Sequence, residues 1–208
     1  RGTPVSGRIL SSNRSSWGGW VAVLAALAVP VLLAAQSPYL AWRQPIYIVA
    51  GFAGIVAFAG MVVQPLLAAR LLPVASVRRA QTLHRWTGVA VLGAVVLHVV
   101  ALWITSPPDV VDALLLRSPT PFSAWGVLAT WAVGLAAGIA LSGRRLIRGW
   151  RRRRQWHASL SALAVGATVL HVVLIDGTME PVSKVLLCLA ALAVLGWAMV
   201  RLRLWSRG

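Results

Sequence analysis

The sequence predicts an all-α integral membrane protein built as a bundle of six membrane-crossing helices. Three observations carry that expectation. Of 208 residues, 59% are hydrophobic and only 12% charged, whereas a soluble domain carries about a quarter charged residues. Six apolar stretches are each long enough to cross the hydrocarbon, which takes roughly 20 residues of helix. Twenty basic residues face four acidic ones, a formal charge of +16, and the basic residues gather in alternate connections. This apolar content excludes a disordered chain, which is poor in hydrophobics, and it excludes a water-soluble nucleic-acid binder. The single Cys188 excludes a disulfide framework and a Cys-rich zinc or iron–sulfur site. It also excludes covalent haem attachment, which needs C-x-x-C-H.

The apolar stretches cover residues 17–36, 46–69, 83–104, 122–141, 156–175 and 182–202. Pro30 lies inside the first and Pro65 near the end of the second, which membrane helices tolerate when neighbours satisfy the freed carbonyls. The first stretch has the basic flank of a signal peptide, but its apolar run exceeds the roughly 7–15 residues of such a segment. It is read as a retained helix. Connections are short, so the organisation is a basic segment over 1–16, one membrane domain over 17–204 and a terminal piece over 205–208.

Charge then orients the bundle. Arg1, Arg8 and Arg14 precede the first span, and Arg70, Arg78 and Arg79 follow the second. Arg144, Arg145, Arg148, Arg151, Arg152, Arg153 and Arg154 follow the fourth, and Arg201, Arg203 and Arg207 end the chain. The alternate connections hold Arg43, Arg117 and Lys184 with all four acids, Asp109, Asp112, Asp176 and Glu180. The positive-inside rule places both termini in the cytoplasm, and the expected location is a bacterial inner membrane. Trp17, Trp20, Trp42, Trp86, Trp103, Trp150, Trp156 and Trp205 fall near span ends, as interfacial rings do.

All four histidines lie in spans: His84 and His98 on the third, His157 and His171 on the fifth, each pair fourteen positions apart. Fourteen steps come within roughly 40° of four whole turns, so each pair shares a helix face and stands about 21 Å apart along the axis. The third and fifth spans run parallel. His84 and His157 therefore share a depth near the cytoplasmic side, and His98 and His171 share one near the outer side. A lone intramembrane His reads as a packing residue or a functional one, but four at matched spacing and depth point to ligands. Imidazole is a common haem ligand, and the geometry suits two stacked b-type haems between helices 3 and 5. Gly88, Gly93 and Gly166 between the histidines admit something bulky or simply pack helices, as does Gly134-x-x-x-Gly138. Trp131 is a candidate neighbour of the gap.

Leu83-His84-Arg85-Trp86-Thr87-Gly88 with Leu97-His98, and Trp156-His157 with Leu170-His171, resemble the third and fifth helices of the ferric reductase-like transmembrane domain family. The resemblance implies a two-haem b-type cytochrome akin to the membrane half of NADPH oxidases. Electrons would pass from the cytoplasmic side through an inner haem on His84 and His157. An outer haem on His98 and His171 would pass them to ferric iron, oxygen or a periplasmic protein. Many relatives continue into a flavin and NAD(P)H module; this sequence shows no G-x-G-x-x-G fingerprint, so no FAD or NAD(P)H site is expected. The expected electron donor is another protein or a quinol.

Arg85 and Arg154 adjoin the inner ligands and are candidates to pair haem propionates. The Arg-rich connection before the fifth span reads as a topology determinant on anionic lipid, or as a dock for an acidic donor protein. The outer segment 105–121 is long enough to cap the external haem, with Asp109, Asp112 and the run Leu114-Leu115-Leu116 as a short interfacial helix. Arg117 there is a candidate for a propionate or an anionic acceptor. Two alternatives stand beside the oxidoreductase reading: a quinol-linked di-haem cytochrome b, and a membrane anchor or accessory subunit of a larger complex.

Overall fold

A computed structural model describes residues 12–142 and 147–202. Arg1, Arg8, Arg144, Arg145, Arg203, Arg207 and Trp205 lie outside the described residues, as does the piece 205–208. Among the described residues seven α-helices follow in order: α1 (Ser12–Ala35), α2 (Pro45–Ala68), α3 (Val77–Thr105), α4 (Pro107–Leu114), α5 (Pro121–Leu141), α6 (Trp150–Leu174) and α7 (Pro181–Leu202). All but α4 are long and apolar enough to cross a membrane. The chain is a multi-pass, all-α membrane bundle, as its composition predicts.

The helices begin and end for local reasons. At the end of the bundle opposite the Arg-rich connections, α2, α4 and α5 each have Pro in the first turn, and α7 opens on Pro181. Proline suits this place because its missing N–H is one that a helix start leaves unbonded anyway. The Glu180 carboxylate caps α7 by accepting the N–H groups of Ser183 and Val182. At the Arg-rich end, Ser76 Oγ accepts the Arg79 N–H at 3.2 Å and starts α3.

Three helices start five or six residues earlier than the apolar pattern suggests, α1 at Ser12 and two others at arginine-bearing turns. α3 begins at Val77 and α6 at Trp150, so Arg78, Arg79 and Arg151, Arg152, Arg153 and Arg154 belong to helical turns. Hydropathy marks where the lipid begins, whereas arginine is itself a good helix former and lets the helix run on. At about 1.5 Å per residue, the 29 residues of α3 reach about 43 Å, well past a hydrocarbon core of roughly 30 Å.

α2 is the hub. Half of its span is buried, against 17% for α3 and α6, and it packs on α1, α3 and α7. Among the described residues Phe58 is the largest fully buried side chain; Ile55, Met61 and Val62 of α2 cluster around it with Val91, Val165, Leu187 and Cys188. α5 packs along α6, so the bundle contains two close antiparallel pairs, α2 with α3 and α5 with α6. α3 and α6 themselves stand apart. The short α4 bridges α3 and α5 at the end away from the Arg-rich loops. It contains Asp109 and Asp112 but stops at Leu114; Leu115 terminates it and Leu116 takes a φ of 56°. The leucine run therefore ends the interfacial helix instead of extending it.

Candidate functional site

The gap between α3 and α6 is where the histidines meet. At the Arg-rich level the His84 and His157 rings lie 6.3 Å apart between centroids, at 78°. At the opposite level His98 and His171 lie 6.5 Å apart, at 81°. The fourteen-residue spacing thus does bring one imidazole from each helix to each of two levels.

Each ring is held from behind by the neighbouring helix. His84 Nδ1 meets the Gln64 carbonyl at 3.2 Å and His98 Nδ1 the Ala50 carbonyl at 2.7 Å, both on α2. His157 Nδ1 meets the Ala136 carbonyl at 3.0 Å and His171 Nδ1 the Phe122 carbonyl at 2.8 Å, both on α5. A carbonyl only accepts, so Nδ1 carries the proton and donates it. In the neutral ring Nε2 then keeps its lone pair, the state in which imidazole binds a metal. The accepting carbonyls are fourteen residues apart on each helix, the same interval as the histidines they serve. A mid-helix carbonyl can serve twice because it has two lone pairs.

Two glycines allow the closer approach at the second level. A Cβ on Gly54 would stand 3.1 Å from His98 Nδ1, and one on Gly126 would stand 2.8 Å from His171 Nδ1. Each glycine lies four residues past its carbonyl, and at the Arg-rich level those positions are Ala68 and Ala140. The longer Nδ1–O distances accompany alanine and the shorter ones glycine. Gln64 adds a side-chain lock at the first level: its amide Nε2 donates to the His84 carbonyl at 3.2 Å and to Thr87 Oγ1 at 2.7 Å.

A cavity of about 720 Å³ opens around His98 and His171, lined also by Gly54, Phe58, Gly126 and Thr168. Phe58 lies between the Ala50 and Gln64 carbonyls along α2 and so stands at the depth between the two histidine levels. Trp131 does not take that place; it is 62% exposed and points away from the bundle. A Cβ on Gly88 would stand 3.4 Å from the Gln64 amide, so this glycine serves helix packing, while Gly93 and Gly166 border open space. Arg85 is exposed. Arg154 donates to the Leu202 carbonyl at 2.9 Å and lies 5.3 Å from the Trp150 ring centre, which ties α6 to the end of α7. Among the described residues no group of three or more His, Cys, Asp or Glu gathers to hold a bare metal ion.

The carbonyl platform, the two glycines and Phe58 are invisible to hydropathy. One sequence signal does reveal the arrangement. Gly93-Ala94-Val95-Val96-Leu97-His98-Val99-Val100 repeats as Gly166-Ala167-Thr168-Val169-Leu170-His171-Val172-Val173, with one difference in eight positions. Gly54-Ile55-Val56-Ala57 of α2 is likewise echoed by Gly126-Val127-Leu128-Ala129 of α5. The two hairpins use one scheme twice.

No curated protein and no solved structure matches the chain. A family described as the ferric reductase like transmembrane component matches residues 53–168, more than half of the chain. The matched stretch runs from α2 into α6 and includes His84, His98 and His157, with His171 just beyond it. The chain is therefore a membrane oxidoreductase-like component that belongs to the ferric reductase like transmembrane component family.

Proposed function

We propose that this chain moves electrons across a membrane by way of two b-type haems, with His84 and His157 holding an inner one and His98 and His171 an outer one. The observation that carries the reading is the pair of opposed imidazoles at two levels, each with Nδ1 committed to a carbonyl. Two imidazole–metal bonds of about 2.0–2.1 Å, plus about 1.1 Å from each ring centre to its nitrogen, span roughly 6.2–6.4 Å. The ring separation of 6.3 Å lies within that span and that of 6.5 Å just beyond it, so the residues suit the group. Bound there, each haem would supply a one-electron couple.

The protein's own part is positional and electrostatic. The four carbonyls fix tautomer and ring orientation and raise the basicity of the ligating nitrogens. Arg85 and Arg154, beside His84 and His157 in sequence, are the cations offered to porphyrin carboxylates at the inner level. In this reading the Arg-rich connections face the cytoplasm of a bacterial inner membrane by the positive-inside rule and meet the donor there. The α4 segment covers the outer cavity, where ferric iron, oxygen or a periplasmic protein would accept electrons.

The test is a reduced-minus-oxidised spectrum of the purified chain with pyridine haemochrome quantitation. Two b haems per chain are expected. Colourless protein from haem-replete cells overturns the reading and leaves a membrane anchor.

A further inference from the structure

The cavity around His98 and His171 extends from Phe58 at mid-depth to the outer surface, and its lining contains two basic side chains, Arg43 and Lys184. They come from different parts of the chain: Arg43 lies in the connection before α2, and Lys184 in the first turn of α7. The Lys184 side chain is only 12% exposed. Its Nζ donates to the Ile175 carbonyl at 3.0 Å and lies 3.9 Å from Asp176 Oδ1. That carboxylate is fully exposed, so water and salt screen the pair and it does little for the cation. An ammonium has three donors, and one goes to Ile175. A cation sunk this far is costly unless an anion shares its surroundings. The Arg43 guanidinium lies 4.7 Å from the Tyr47 ring centre, which holds it beside the cavity mouth. The acids on the lining, Asp109, Asp112 and Asp176, come from α4 and the connection before α7. Arg117, the basic residue of the capping segment, does not line the cavity at all.

We propose that Arg43 and Lys184 form a two-cation rim that receives the carboxylates of the porphyrin held by His98 and His171. The inference rests on the two-haem reading above and adds the orientation of the outer group: acid edge toward the external surface, apolar edge toward Phe58. A soluble anion with a carboxylate is the other ligand with this chemistry.

Titration of the full-length apo chain in detergent with haem and with haem dimethyl ester separates these cases. The ester keeps the iron and ring but has no carboxylate charge. Binding at the outer level is identified as the phase that disappears in H171A. In the wild type that phase favours haem over its ester by roughly tenfold or more, the scale of a charge-assisted hydrogen bond. R43Q/K184M loses most of that preference while the other phase is unchanged, and K184R restores part of it. A second readout is the outer midpoint potential, which moves in R43Q/K184M while the inner one stays. If the double variant keeps the wild-type preference, or the wild type has none, the rim does not hold the porphyrin and a soluble anion is its ligand. Failure of the wild type to take up either compound instead overturns the two-haem reading, and this inference with it.

Discussion

Replacing Gly126 with Ala puts a methyl group where the His171 ring now sits. The new Cβ would stand 2.8 Å from Nδ1 and 3.0 Å from Cε1, whereas non-bonded carbon contacts settle near 3.5–4.0 Å. The ring must retreat by about 0.5 Å or more, and its 2.8 Å bond to the Phe122 carbonyl must stretch or tilt. Losing such a bond costs about 0.5–1.5 kcal/mol, and loss of a partner behind a metal ligand typically lowers affinity about 10–100-fold. G126A is therefore expected to lower outer-haem affinity by about 10–100-fold with the inner haem retained. G54A should act in the same direction but less, because its Cβ would meet His98 at 3.1 Å. The control is G134A, where a Cβ meets open space and helix propensity alone predicts a small gain in stability. The assay is haem titration of each purified variant, with stoichiometry from the pyridine haemochrome. Equal outer-haem affinity in G126A and G134A would refute the carbonyl-platform argument.

Three further outcomes are expected. Q64L removes the side-chain bonds to the His84 carbonyl and Thr87 while leaving the backbone acceptor; thermal unfolding should show a loss of about 1–2 kcal/mol, and unchanged stability would place no weight on that lock. R154Q should weaken inner-haem retention; haem content equal to wild type would remove Arg154 from any role with porphyrin carboxylates and leave only its tie to Leu202. Hydrogen bonds from Ser183, then from Val182, hold the Glu180 carboxyl below the usual carboxylate range. A lowered folded pKa means that the cap contributes fully above the ordinary carboxylate pKa and is lost as pH falls through the lowered value. The Tm difference between wild type and E180A should accordingly shrink on acidification below about pH 4; a pH-independent difference would contradict the cap.

The membrane class and all six spans were legible because the solvent imposes them: about 20 apolar residues per crossing leave a long, simple signal. Helix ends were less legible. Arg78 and Arg151 lie outside the apolar run, yet the Ser76 cap and the helix-forming tendency of arginine extend α3 and α6 by more than a turn. The histidine pairing was legible because a fourteen-residue interval maps onto one helix face. What supports each ring was not, since Ala50, Gln64, Phe122 and Ala136 act through backbone carbonyls and any residue type supplies one. Gly54 and Gly126 carry the only side-chain trace of that contact. Lys184, in the first turn of α7, and Arg43, before α2, are far apart in sequence and no periodicity links them, so the candidate visible in the sequence was Arg117, which does not line this cavity.

The pairing of ligands by depth is tested most directly by the haem count and reduced absorbance spectrum of the four single variants H84A, H98A, H157A and H171A. The account predicts that each variant loses one of two haems. H84A and H157A should leave one and the same spectrum, and H98A and H171A the complementary one. Grouping by helix instead, with H84A resembling H98A, or full haem retention in any of the four, would contradict it.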